Sequence, residues 1–169
     1  EELSHFSHKR NIVLFLGSSI GNYPLNESTL FLKRVSELLN TGDLMLIGFD
    51  LQKDPRILQA AYDDSVGVTA EFNLNLLERI NSELGGDINT SLFQHHAYYN
   101  PVLGAMESML ISLEDQVITL KELQKEFFIK AWETIHTEYS FKFNQEQINQ
   151  IAQESSFAIM DQFYDSKRY

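Results

Sequence analysis

The chain has no cysteine, which excludes disulfides, thiol catalysis and cysteine-ligated zinc. Positive charge is scarce: 13 Lys+Arg stand against 24 Asp+Glu, a formal net charge of −11. No basic cluster is longer than Lys9-Arg10. Such a balance repels a polyphosphate backbone, so nucleic acid and anionic membrane surfaces are poor partners, while a small anion held by local donors is still allowed. No apolar run approaches the ~20 residues that cross a bilayer, and no signal peptide opens the sequence. Repeats, low-complexity segments, G-x-S-x-G elbows, Walker loops and H-E-x-x-H pairs are also missing. Together these absences fit a cytoplasmic protein with a small-molecule ligand. What is there suffices for a core: 169 residues, 43% apolar and 12% aromatic, predict one domain or a domain with a small appendage.

The chain is organised around Asn11 to Asn22. Ile12 to Leu16 is a continuous apolar run, expected to be a strand buried on both faces. It stops abruptly in Gly17, Ser18, Ser19, Gly21 and Asn22. Open α/β sheets place ligands at such strand ends, where glycine admits close approach and Ser or Asn adds hydrogen-bonding groups. A plain turn would look the same, and Ser18 and Ser19 read as turn formers without a positioned base. Asn26 is the expected N-cap of a helix running to about Leu39, with Leu30, Phe31, Val35 and Leu38 on its apolar face. Leu44 to Phe49 is a second buried run, so strand, helix and strand predict a βαβ unit with parallel strands.

Asp54-Pro55 predicts a cap and first-turn proline for a short helix through Tyr62. Asp63-Asp64 reads as a solvated turn or cap. Thr69 is the expected cap of a longer helix, carrying Phe72, Leu76, Ile80 and Leu84 and closed by Gly85-Gly86. From Phe93 the texture becomes β-rich: Phe93–Tyr99, Met106–Leu113, Gln116–Leu120 and Phe127–Phe143 read as strands. Glu114-Asp115 predicts a hairpin turn, Ala131-Trp132 a bend, and Phe157 to Phe163 a final strand after a helix carrying Ile148 and Ile151. His95 and His96 are adjacent on a strand, so they face opposite ways and do not readily share a metal ion. His5 and His8 sit in a polar lead-in. Alternation places Glu138 and Ser140 on one strand face. Asn22, Tyr62, Glu138 and Ser140 would suit an amino acid with a ring N–H, but periodicity alone does not assemble them.

Four stretches, Phe15–Asn22 (FLGSSIGN), Asp50–Pro55 (DLQKDP), Ala60–Asn73 (AAYDDSVGVTAEFN) and Thr137–Phe143 (TEYSFKF), resemble in combination, order and spacing the histidine Nα-methyltransferases of ergothioneine biosynthesis. The likeness spans nearly the whole chain. It implies an α/β fold: part of a Rossmann-like class I methyltransferase sheet, followed by a mainly antiparallel α+β substrate-binding region. Residues 1–90 would be the carboxyl-terminal part of the S-adenosylmethionine-binding domain, and residues 91–169 the substrate-binding region. The implied reaction methylates an amino acid's α-amine, with histidine giving its trimethyl betaine. By resemblance Asn22 and Tyr62 hold the amino and carboxylate end of the substrate. Gly17 lies beside the amine and the cofactor, and Glu138 with Ser140 grips the imidazole. No catalytic nucleophile and no metal is implied.

The family's glycine-rich cofactor loop is absent from this chain, so the chain is expected to be a carboxyl-terminal portion, inactive alone. A sheet edge left exposed would favour dimers of such a fragment. Ser108 stands where the histidine-specific pattern has an apolar methionine, which leaves room for another amino-acid substrate. The alternative from a different class is a non-catalytic ligand-binding or interaction domain on the same half-fold.

Overall fold

The computed structural model describes residues 10–167 and 169. The lead-in with His5 and His8 lies outside the described residues. The chain packs as two compact units, one made of residues up to Lys53, Val102–Ala105 and Tyr139–Tyr169, the other of Asp54–Pro101 and Met106–Glu138.

The first unit opens with the expected βαβ. β1 (Ile12–Phe15) and β2 (Leu44–Ile47) are parallel, with Ile12 opposite Leu44 and Phe15 opposite Ile47, and α1 (Leu25–Glu37) connects them. Asn11 is tied to Asp43 at the start of the pair, its N–H donating to Oδ1 at 2.8 Å. The expectation of burial on both faces fails. Ile12 and Leu14 are each 61% exposed, whereas Val13 and Phe15 are half-buried. The crossover lays α1 against one face, where Phe15 meets Phe31 at 5.1 Å between ring centroids. No described residue covers the other face.

α1 begins one residue before the expected cap, with Pro24 at the cap position, so Asn26 lies inside the helix. Its buried line is Ser28 and Leu32; Leu30 and Leu38 are exposed. Ile20, Leu32, Phe143 and Ile151 form the core of this unit, ringed by Phe15, Phe31, Met45, Ile47 and Phe49. Ile151 comes from α4 (Gln145–Glu154), whose start is a reciprocal capping box between Asn144 and Gln147. The expected last strand is absent: residues 157–163 join no ladder, and Ile159, Met160 and Phe163 are exposed. Phe157 N–H donates to Ala152 O at 2.9 Å at the end of α4, and the rest of the run has no partner strand among the described residues.

In the second unit α2 (Pro55–Tyr62) starts as expected, Asp54 accepting from the Arg56 N–H at 2.9 Å. α3 (Val68–Leu84) has Gly67, not Thr69, at its N-cap position. The capping is done by Asp64, whose carboxylate accepts from the Val68 and Thr69 N–H groups at 2.9 and 2.8 Å. A side-chain hydrogen bond from Thr69, followed by those two N–H bonds, holds the Asp64 carboxyl far below the ordinary range. The buried line on α3 is Asn73 and Leu77, while Phe72 is 68% exposed. A polar residue wins the inward position because Asn73 is satisfied there, donating to Thr69 O and accepting from the Thr137 hydroxyl at 2.7 Å.

β3 (Phe93–Asn100), β4 (Ala105–Ser112) and β7 (Thr134–Phe141) form one sheet in the order β3-β4-β7, and β5 (Gln116–Leu120) and β6 (Lys125–Ile129) form an antiparallel pair. Glu114-Asp115 therefore turns the chain between sheets and makes no hairpin. The end of β4 is already engaged, Ser112 donating to Glu133 O at 2.9 Å and accepting from Trp132 N–H at 2.7 Å. The hairpin is β5–β6, turning through Gln124 in the left-handed region. Leu77, Ile88, Phe93, Leu110, Ile118 and Leu120 make its larger core, and Leu58, Ala97 and Met106 a smaller one.

Candidate functional site

Within the first unit three of the singled-out stretches meet. After β1 the backbone turns through Gly17 at φ +77° and Ser18 at φ +56° into a single 3-10 turn, Ser19–Asn22, anchored by the fully buried Ile20. Gly17 is exposed, and a Cβ there would find only Ser19 Oγ at 3.9 Å. Gly48, after β2, lies beside it: a Cβ on Gly48 would stand 3.8 Å from Gly17 N. The two parallel strands thus end together, as the βαβ reading requires. Gly21 is pressed against the strand that carries Ser140, since a Cβ there would come within 2.8 Å of Phe141 O. Asn22, exposed, is its next neighbour.

The Asp50 stretch joins from the other side of the sequence. Phe143 N–H donates to Asp50 O at 3.0 Å and Gln52 N–H to Phe143 O at 2.9 Å, a parallel bridge centred on Leu51 and Phe143. Lys142, 3% exposed, places Nζ 2.8 Å from Ser140 Oγ and 3.0 Å from Asp50 Oδ2. Lys53 Nζ holds the other Asp50 oxygen at 2.5 Å. Burial alone would raise the Asp50 carboxyl's pKa, but hydrogen bonds from the two lysines outweigh it and leave the group lowered and ionised. Gly17, Asn22 and Ser140 belong to this unit.

Tyr62 and Glu138 belong to the second unit. Tyr62 is the last residue of α2 and packs on the Leu58, Ala97 and Met106 cluster. Glu138 is half-buried on β7, two residues before Ser140, and the unbroken strand keeps the two on one face as alternation predicts. Sequence reasoning overlooked Lys142 and Asp50. The available signal was the period-two series Glu138, Ser140, Lys142, in which the lysine sits between two phenylalanines. Ser108 is 1% exposed on β4, beside the buried Glu107, whose carboxylate accepts from Asn100 Nδ2 at 2.8 Å and lies 3.7 Å from His136 Nε2.

His95 and His96 do face opposite ways, His95 buried and His96 exposed. Both ring nitrogens of His95 are buried, with no hydrogen-bond partner among the described residues. Desolvation lowers its pKa below the ordinary 6.5, only partly opposed by Asp63. Below pH 6.5 the unfolded chain then binds a proton that the folded chain does not, so stability falls as pH drops. Thermal unfolding followed from pH 7.5 to 5.5 should show this loss. His95→Leu should flatten that slope, and an unaltered slope would show that His95 is not its source.

Parallel strands ending together in glycine turns, joined by a helix, define a mixed α/β chain. A family model described as a histidine-specific, SAM-dependent methyltransferase matches residues 1–169, and the chain belongs to that family. It is 38% identical over 149 residues to the histidine N-alpha-methyltransferase of Mycolicibacterium smegmatis, covering 88% of this chain and 46% of that protein. The corresponding Mycobacterium tuberculosis protein is 37% identical over 139 residues, 82% of this chain and 43% of its own length. An ergothioneine biosynthesis protein 1 of Neurospora crassa is 35% identical over 144 residues, 75% of this chain and 16% of that protein. The chain thus spans under half the length of these relatives. No helix among the described residues is long and apolar enough to cross a membrane.

Proposed function

We propose that the full-length protein transfers methyl groups from S-adenosylmethionine to the α-amine of histidine, giving the trimethyl betaine. The observation that carries this reading is the convergence of Gly17–Asn22, Asp50–Lys53 and Ser140–Phe143 in one unit, because these are the stretches that carry the family likeness. In this reading β1, α1 and β2 belong to a Rossmann-like sheet, residues 1–90 complete the cofactor-binding domain and residues 91–169 form the substrate-binding region.

Gly17 fits close approach by the cofactor: it is exposed, left-handed and has open space where a Cβ would stand. When bound, S-adenosylmethionine supplies an electrophilic methyl group on its sulfonium. The chain's own residues orient the acceptor. Asn22 and Tyr62 offer neutral donors and acceptors to the amino and carboxylate end, which leaves the amine free to lose its proton. Glu138 accepts from a ring N–H, and Ser140 meets the other ring nitrogen. Holding the amine in line with the methyl carbon is the main task, so neither a nucleophile nor a metal is needed.

The test is direct. The full-length protein is incubated with S-adenosylmethionine and each of the common amino acids, and products are weighed by mass spectrometry. Histidine gaining three methyl groups is the expected result. Failure to methylate histidine while another amino acid is methylated would overturn the substrate. No transfer to any would overturn the reading.

A further inference from the structure

We propose that Lys142 is a positioning residue that sets the hydrogen-bond polarity of Ser140, so that the serine hydroxyl donates to an unprotonated ring nitrogen of the substrate. The inference rests on the reading that Ser140 and Glu138 grip an imidazole. An ammonium group has three donors and no acceptor. At 2.8 Å from Lys142 Nζ, Ser140 Oγ is therefore the acceptor, and its single O–H cannot be spent on the lysine. With a cation already on one lone pair, the same oxygen is a poor acceptor for a further N–H, and poorest for a charged one.

The arrangement is built to hold. Lys142 is 3% exposed, and Asp50 Oδ2 fixes its ammonium at 3.0 Å. Lys142 N–H donates to Gly104 O at 2.8 Å, and Gln52 Nε2 donates to Lys142 O at 3.2 Å, so the backbone on either side of the side chain is tied as well. Lys53 balances the remaining Asp50 oxygen. A lysine kept out of water in this way costs desolvation energy, which the carboxylate and the hydroxyl offset.

Along the strand the polarity then alternates with the side chains. Glu138, as a carboxylate, only accepts; Ser140, held by Lys142, donates. A ring with one N–H and one bare nitrogen satisfies both. A ring with two N–H groups, or with none, leaves one of them unmatched. The lysine thus selects neutral imidazole without touching it.

The test measures binding of histidine and of its pyrrole analogue, in which the acceptor nitrogen is replaced by CH, to the full-length protein by calorimetry. The unaltered protein should favour histidine by about tenfold or more, the discrimination expected when a buried donor is left unpaired. In Lys142→Met the preference should collapse towards unity, with the analogue's affinity held within about threefold, since polarity and not the fold is lost. Should that variant not fold, Lys142→Gln serves, because its amide oxygen can accept from Ser140 and release the constraint. Ser140→Ala should abolish the preference while leaving the ion pair in place. Equal losses for both ligands in the lysine variants, or a preference kept in any of the three, would overturn the proposal. An unaltered protein that binds no histidine would overturn the functional reading itself, an outcome distinct from histidine binding with an insensitive ratio.

Discussion

Gly21→Ala should destabilise the first unit by about 1–3 kcal/mol, the usual cost of forcing extra volume into a packed site. The added Cβ would stand 2.8 Å from Phe141 O and 3.6 Å from Phe141 N, and both are backbone atoms that no rotamer change can move. Gly21 is buried between Ile20, at the centre of the core, and Asn22. Relief therefore has to come from displacing the turn or the strand, and either movement shifts Asn22 relative to the strand that carries Ser140. A second consequence follows in the full-length protein: histidine affinity should fall along with stability. Thermal unfolding of this chain and calorimetry on the full-length protein measure the two effects. Gly42→Ala is the control, since Gly42, at φ +94°, has nothing within 4 Å of its would-be Cβ. It should be strained by its dihedral alone and leave histidine binding unchanged. If Gly21→Ala melts where the unaltered chain does, the contact between the turn and the strand is not as described.

Glu138→Ala in the full-length protein should weaken histidine binding by about ten- to a hundredfold. A hydrogen bond to a charged group is worth about 1.5–3 kcal/mol, and a ring N–H left without an acceptor adds a desolvation cost. The effect should be specific to the ring. In the proposed pose Glu138 meets the imidazole, while Asn22 and Tyr62 are assigned to the amino and carboxylate end. Amino acids with apolar side chains should therefore lose little affinity, and some should gain relative to histidine. Glu138→Gln, which keeps one acceptor oxygen without the charge, should fall in between. Unchanged histidine affinity in Glu138→Ala would remove Glu138 from the site and with it the reason for preferring an imidazole substrate.

The turn chemistry was legible because it acts over a few residues. Asp54-Pro55 starts α2, as local hydrogen-bonding rules require. Where two local candidates competed, neighbours decided. Thr69 has a capping side chain, but Asp64 reaches the same N–H groups through the turn and takes the position. Apolar periodicity placed α3 well and its buried face badly. Phe72 fits the four-residue repeat, yet Asn73 lies inside because Thr137, 64 positions along, supplies its partner.

By itself the sequence determined the βαβ start, the strand-rich second half, the shared face of Glu138 and Ser140, and a likeness specific enough to name a family. All of these depend on short-range spacing or on residues read in order. Tertiary structure alone decided that residues 157–163 form no strand among the described residues, and that Gly21 abuts Phe141. It also decided that a buried lysine ties Ser140 to Asp50. The reason is physical: a side chain's hydrogen-bond polarity is set by whatever the fold brings beside it, and the Gln52 side chain that helps pin Lys142 comes from 90 positions away.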